Sequence, residues 1–313
     1  MKSKILILTD GKAGHESQSR AFARALGGVA DCTEIHFKSK FHKAFSYLLD
    51  HVGISSLSLF TGLGEVPSRG DYAAVVGTGS GTFYAVKALA RRLGVKGGVV
   101  LYPRGYRIAT FDCVLAPAFD RPPKMPNVVE FPANLVAADA AFYAKGVADF
   151  RARTEVEPEI AVIVGGPNKC ATLTADWMRR RLDAVFAQPG AKAVTTSRRT
   201  PPAVEAVVDS YPWDYKLIYS KDRFNPIPAF VSLAKRLYVT AESTGMLSEA
   251  CTFGTAEVVA LDNLRPGPHK FRRFVEGLVA GGYASWESET ASIGARKIDL
   301  AAPFAAARRL MGL

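Results

Sequence analysis

The chain alternates short, continuous apolar runs with stretches whose apolar residues recur every three or four positions. Lys4–Thr9, Tyr72–Gly77, Val99–Tyr102 and Cys113–Ala116 are runs of strand length, the pattern of strands buried on both faces of a parallel sheet. Helical spacing appears at Glu16–Leu26, Phe83–Leu93 and Ala137–Arg153. The charged stretch over 154–159, with Pro158 near its end, then reads as a linker. Beyond it the alternation restarts with strands at Glu159–Gly165, Ala191–Thr196, Tyr215–Tyr219, Arg236–Thr240 and Glu257–Leu261, and with helices at Ala175–Phe186 and Met246–Phe253. Strand, loop and helix in repetition predict the α/β class. The expected architecture is two Rossmann-like doubly wound domains facing a cleft, over residues 1–153 and 158–295, with a last helix in 300–313 that can pack back on the first.

Composition narrows the setting. A chain of 313 residues, 48% hydrophobic and 22% charged, suits about two soluble globular domains. No apolar run approaches the roughly 20 residues of a membrane span, and the apolar part of MKSKILILTDGK is too short for a signal peptide. A cytoplasmic protein is expected. Cys32, Cys113, Cys170 and Cys251 form no CxxC pair, so they read as buried free thiols rather than metal ligands or disulfides. The net charge of +11 favours acidic partners such as phosphorylated metabolites or anionic lipid. No zinc-finger spacing or RNP-like aromatic motif occurs, and nucleic acid is not an expected partner.

The loops after the predicted strands carry the candidate chemistry. Asp10-Gly-Lys-Ala-Gly-His-Glu-Ser-Gln18 follows the first strand. Gly11 and Gly14 permit tight turning, and the helix that follows offers amides to an anion. Histidine is the residue type that can take up a proton near neutral pH, as a general base needs, so His15 is the candidate base, with Glu16 or Asp10 as substitutes, and Gln18 can bind substrate. This is not G-x-G-x-x-G. Gly77-Thr-Gly-Ser-Gly-Thr82, with Gly79 at its centre, can cradle a phosphate or a sugar. Gly165-Gly166-Pro-Asn168-Lys169 offers backbone donors, an amide and a point charge to a diphosphate. Ser197 and Arg198 follow the next strand, and arginine holds phosphate oxygens bidentately. Thr240–Gly254 contains a hydroxyl-rich turn with Ser243, then Met246, Ser248 and Glu249 on a helix whose first turn would hold Ser248-Glu249-Ala250. A glutamate there can cap the helix or accept both hydroxyls of a ribose. Asn225, opening a helix upstream, can reach the same rim.

Taken in order, DGKAGHESQ, IVGGPNK, TTSRRTP, FNPIPAFVSLAKRLYVTAESTGMLSEACTFG and PHKFRRFVEGLVAGG resemble the "mitochondrial fission" elongated-mitochondria family. That family is similar in turn to metal-independent GT-B glycosyltransferases. The resemblance implies an acceptor-side first domain, with Gly14 and His15 in its loop. It implies a nucleotide-sugar-binding second domain, in which Gly165, Gly166 and Lys169 lie over the diphosphate with Ser197 and Arg198 nearby. Ser243, Met246, Ser248 and Glu249 match the donor-side helix. Where the wider superfamily often has Gly-x-Pro after that helix, this chain reads Phe253-Gly-Thr-Ala-Glu257. The donor is a substrate, and no cofactor is expected. No Asp-x-Asp occurs, so no metal ligand set is expected either.

The function expected is metal-independent transfer of a sugar from a nucleoside-diphosphate sugar to an acceptor the sequence does not identify, a lipid-linked or cell-envelope molecule being one candidate. The alternative is a non-catalytic nucleotide-binding adaptor at a membrane surface. A nucleotide-sugar epimerase is disfavoured, because G-x-G-x-x-G and Tyr-x-x-x-Lys are both missing from a matching place. Phe41, Phe45, Leu48 and Leu49 recur at helical spacing beside Lys38, Lys40 and Lys43. An interfacial helix against an anionic inner membrane face reads this way. An ordinary amphipathic helix lying on the sheet reads the same way and is the expectation.

Overall fold

The computed structural model describes residues 3–65, 67–137, 139–288 and 296–313. The chain divides into two compact units, Met1–Ala137 with Leu300–Leu313, and Ala138–Asp299. In the first unit β1 (Lys4–Thr9), α1 (Ala13–Ala25) and β2 (Val29–Glu34) are followed by a small hairpin of β3 (His36–Phe37) and β4 (Phe60–Thr61), which brackets α2 (Lys40–His51). β5 (Ala74–Thr78), α3 (Phe83–Leu93), β6 (Lys96–Val100), β7 (Cys113–Pro117) and β8 (Val128–Phe131) complete the sheet, in the order β2-β1-β5-β6-β7-β8. Every pairing in it is parallel.

The second unit opens with α4 (Ala140–Arg151), then β9 (Ile160–Ile163), α5 (Ala175–Phe186), β10 (Lys192–Thr195), α6 (Pro202–Asp209) and β11 (Tyr215–Leu217). It continues with α7 (Ile227–Leu233), β12 (Arg236–Thr240), α8 (Thr244–Thr252), β13 (Glu257–Leu261), α9 (Lys270–Ala280) and β14 (Ser285–Trp286). Its strand order, β11-β10-β9-β12-β13-β14, is the 3-2-1-4-5-6 order of the Rossmann fold. The last helix, α10 (Ala301–Met311), returns to the first unit.

Alternation along the strands builds two cores per sheet, since successive side chains point to opposite faces. Leu6 and Leu8 of β1 join a core closed by α2 and α3, while Ile5 and Ile7 join one closed by α1 and α10. α10 can approach β6 because that strand begins Lys-Gly-Gly. A Cβ on Gly98 would stand 2.7 Å from the Phe22 ring and 3.1 Å from Met311 Sδ. Those same glycines hide the start of β6 from an apolar-run reading, which placed the strand at Val99–Tyr102. β2 escapes it for another reason: it is an edge strand with several exposed positions. Cys32 lies on it and is exposed, and Cys170 is half-buried, so only Cys113 and Cys251 are the buried thiols expected of all four.

The division between units differs from the expected limits at 153 and 158. α4 belongs to the second unit because its inner face is committed there. Phe150 is fully buried between Tyr215 and Phe230, and the missing side chain of Gly146 admits Pro228 of α7, 2.5 Å from where a Cβ would sit. Residues 289–295 of the expected second domain lie outside the described residues.

The Gly98 contact yields a prediction. Gly98→Leu overpacks the face shared by Phe22 and Met311 and costs about 1–3 kcal/mol. Amide hydrogen exchange should accelerate in α10 and β6 while the second unit keeps its protection.

Candidate functional site

In each sheet the strand order reverses once, between β1 and β5 and between β9 and β12. Those four strands lead into the loops and the two helices, α1 and α8, that carry the candidate site residues, except Ser197, Arg198 and Asn225, which follow β10 and β11. Ligands of open α/β sheets bind at such reversals.

In the first unit α1 begins at Ala13 rather than Glu16, so Gly14, His15, Glu16 and Gln18 are helical. Asp10 directly follows β1 with its side chain almost wholly buried and reaches forward to the helix. Its Oδ1 lies 2.9 Å from His15 Nδ1, and its Oδ2 accepts from Lys12 Nζ at 2.5 Å. Burial alone would raise the Asp10 carboxyl; the Lys12 hydrogen bond and the nearby His15 outweigh it and hold it below the ordinary aspartate value. An ionised carboxylate can only accept, so Nδ1 carries a proton, and in the neutral ring Nε2 then presents its lone pair. The side chain of His15 keeps 24% of its surface exposed.

The Gly77–Thr82 loop supports this pair. Gly79 has φ +84°, and a Cβ there would fall 2.3 Å from His15 Cε1. A Cβ on Gly81 would fall 2.8 Å from that of Asp10. The glycines expected to cradle a ligand thus let the imidazole and the carboxylate lie flush on the loop. Gly11, at φ +75°, turns the chain beside the Glu34 carboxylate. Gly14 is exposed. Glu16 is held by Arg20 one turn on, a surface pairing remote in role from a base. Gln18 donates weakly to the Gly14 carbonyl, and its Oε1 is buried with no partner among the described residues.

The second unit gathers Gly165, Gly166, Ser197, Thr200, Thr240 and Glu242. Gly165 N–H donates to Thr240 Oγ1 at 2.8 Å, and Gly166 N–H to Glu242 Oε1 at 2.7 Å. Thr200 Oγ1 donates to the Gly165 carbonyl at 2.6 Å, and Arg199 to the Gly166 carbonyl at 3.0 Å. Ser197 binds Thr200 through its own N–H. Both glycine amides are therefore spent inside the protein, which corrects the expectation that they donate to a diphosphate. The reason for glycine is steric: Cβ atoms would lie 1.9 Å from Glu242 Oε1 and 2.2 Å from the Arg199 carbonyl oxygen. Asn168 closes a turn by accepting from Cys170 N–H at 2.7 Å. Lys169 and Arg198 are exposed beside this pinned loop.

α8 starts at Thr244, behind Ser243, which supplies no side-chain cap. Ser248 and Glu249 consequently fall in its second turn, and Glu249 is no helix-start cap. Ser248 is fully buried, with its hydroxyl donating to the Thr244 carbonyl, so its Oγ does not face the rim. Met246 is half-buried and Asn225 exposed, the latter accepting from Ile227 N–H at the start of α7. Glu249 Oε1 accepts from Tyr143 O–H at 3.1 Å. Burial raises the Glu249 carboxyl, and the Tyr143 hydrogen bond works against that rise. Tyr143 is itself raised, first by burial and then by the Glu249 charge. Among the described residues no group of three or more His, Cys, Asp or Glu could hold a metal ion.

With this geometry, residues 13–311 match the mitochondrial fission ELM1 family. The chain belongs to that family. No curated protein is significantly similar to it in sequence. Among solved structures, the glycotransferase of kitacinnamycin is 12% identical over 99% of this chain and 95% of its own, with a TM-score of 0.50. A Listeria monocytogenes structure ascribed to a UDP-N-acetylglucosamine 2-epimerase is 10% identical over 88% and 82%, also at 0.50. MurG of Acinetobacter baumannii is 14% identical over 99% and 92%, at 0.48. At such identities the likeness is one of fold: two Rossmann-like domains of GT-B type.

Sequence reading singled out neither Glu242 nor Thr240, the residues that fix the Gly165–Gly166 loop. Their signal is local, a carboxylate two residues past a buried strand, with a glycine pair in the matching place beyond the neighbouring strand. Glu242 has no exposed side-chain surface, and its second oxygen accepts from Asn263 at 2.8 Å. Glu242→Ala leaves the buried Gly166 N–H and the Asn263 amide without their acceptor. It should cost about 1–3 kcal/mol. All three tryptophans, Trp177, Trp213 and Trp286, lie in the second unit, so their fluorescence during urea unfolding measures the loss directly.

Proposed function

We propose that the protein is a glycosyltransferase, moving a sugar from a nucleoside-diphosphate donor to an acceptor hydroxyl with inversion. The observation that supports this best is the Asp10–His15 contact of 2.9 Å, which leaves Nε2 as a base. In the step proposed, Nε2 takes the hydroxyl proton as the acceptor oxygen bonds to the anomeric carbon. The bond from that carbon to the diphosphate oxygen breaks, and its electron pair leaves with the phosphate. In the second unit, Lys169, Arg198 and the start of α8 beyond Thr244, whose own N–H donates to the Glu242 carbonyl at 3.1 Å, are positive groups suited to a diphosphate. Glu249 would accept the ribose hydroxyls, with Tyr143 orienting its carboxylate. Asp10 positions His15 and takes no proton itself, since its own pKa is lowered.

Epimerisation of a nucleotide sugar is the second reading. Its support is the fold shared with the Listeria monocytogenes structure, which weakens the exclusion based on missing dinucleotide motifs. The non-catalytic adaptor is a further outcome. A thermal-shift screen of nucleoside diphosphates and their sugars identifies the donor base through stabilisation of the native state. Product analysis with that donor then separates the readings: release of free nucleoside diphosphate supports transfer, and an isomeric sugar on an intact nucleotide supports epimerisation. A flat screen would favour the adaptor.

Turnover in His15→Ala should fall by about 10²–10⁴-fold, with donor binding unchanged. In Asp10→Asn the fall should be smaller and accompanied by an altered pH profile. Full activity in His15→Ala would remove the proposed base. A ribose contact at Glu249 makes a separate prediction. Nucleotide affinity should weaken as pH falls through the raised Glu249 value, at a pH above that of an ordinary glutamate near 4.5. Tyr143→Phe removes the hydrogen bond that lowers this carboxyl, so the loss should begin at a higher pH still. Inorganic pyrophosphate, lacking ribose, should show neither dependence when calorimetry is used to follow binding.

A further inference from the structure

The outward face of α2 is the most apolar exposed surface among the described residues. Phe41 is 74% exposed, Val52 60%, Leu48 57% and Phe45 40%, with Ile54 just beyond them. Their spacings of four, three and four residues put Phe41, Phe45, Leu48 and Val52 on one stripe of the helix and its last turn. Phe41 and Phe45 stack with rings 7° from parallel. The opposite face is mixed, with Leu49 and Tyr47 on the core beside two buried polar side chains. Ser46 is buried against Tyr106 at 2.8 Å, and Asp50 is buried against Lys87 at 2.5 Å and the Arg107 N–H at 2.6 Å. α2 lies against the sheet core as expected of an ordinary amphipathic helix, but of the four apolar residues singled out from the sequence only Leu49 is on its inner face and buried.

Charge says what covers the stripe. Lys38 and Lys40 are exposed at the N-terminal end of α2. The one acidic residue between positions 38 and 54, Asp50, is buried and paired. Apolar side chains with lysines at one end, and no exposed carboxylate in the same segment, complement a bilayer with anionic headgroups. No described helix is long and apolar enough to cross a membrane, so the contact would be interfacial. We infer that α2 docks the protein on an anionic lipid surface, with Phe41, Phe45, Leu48 and Val52 entering the headgroup boundary and Lys38 and Lys40 meeting lipid phosphates. The helix is also tied to the proposed site in its own unit. Lys43 donates to Ser80 Oγ at 2.8 Å, and Ser80 stands between Gly79 and Gly81 in the loop beneath Asp10 and His15. A membrane-held acceptor therefore deepens the transfer reading, whereas the docking surface stands without it.

Sedimentation of the full chain with vesicles tests this with no donor present. Binding is expected to phosphatidylcholine vesicles containing phosphatidylglycerol, weakening as salt rises, and not to phosphatidylcholine alone. Phe41→Asp combined with Leu48→Asp should abolish it, and Lys38→Ala and Lys40→Ala should each weaken it roughly fivefold. These positions are exposed, so circular dichroism and nucleotide-induced thermal shifts should match those of the unsubstituted protein. Failure to bind anionic vesicles, or equal binding by the double aspartate variant, would overturn the inference. So would a concentration-dependent dimer that the same aspartates dissolve, which would assign the stripe to a second copy of the chain.

Discussion

Two parallel sheets each reverse their strand order once, and the chain must resolve what that leaves exposed. Where neighbouring strands send their connections in opposite directions, no helix covers both strand ends, and buried backbone polar groups need other partners. Side chains supply them. Beyond β9 and β12, Thr240 and Glu242 take the two glycine amides, while Thr200 and Arg199 take the carbonyls. Beyond β1 and β5, Asp10 closes on Lys12 and His15 above Gly79 and Gly81. The rest of the candidate chemistry depends on these closures, because they fix where each remaining polar group points.

A consequence concerns the glycines. At Gly79, Gly81, Gly165 and Gly166 the absent side chain makes room for another residue of the protein. Phosphate recognition in the second unit would then rest on exposed charges, Lys169 and Arg198, and on the start of α8, set around a rigid loop. Such recognition is long-range and screened by salt. Glu249 differs from the other site carboxylates: Asp10 is held low by a cation, while Glu249 is raised by burial beside a tyrosine.

α2 departs in part from the usual pattern of a surface helix. Burying Ser46 and Asp50 is tolerated because Tyr106, Lys87 and the Arg107 amide satisfy them. The aromatic and aliphatic residues of one stripe are thereby released to the outside. An arrangement with that cost points to a use for the outward stripe, and the contact from Lys43 to Ser80 brings the same helix against the loop that seats His15.

The apolar runs by themselves determined the α/β class, the two-unit organisation and most strands, because a strand buried on both faces leaves an unbroken apolar signature. The ordered loop blocks likewise pointed to the family. Tertiary structure decided the rest. β2 was illegible because an edge strand needs no continuous apolar run, and the start of β6 because its glycines serve the packing of α1 and α10. α4 changed unit because the partners of Phe150 and Gly146 are remote in sequence. The pairing of Asp10 with His15, the withdrawal of Ser248 into its helix, the role of Glu242 and the outward turn of Phe41 and Leu48 share one cause. Residue type and spacing say what a side chain can do, but its direction and partners are set by contacts between segments far apart in the chain.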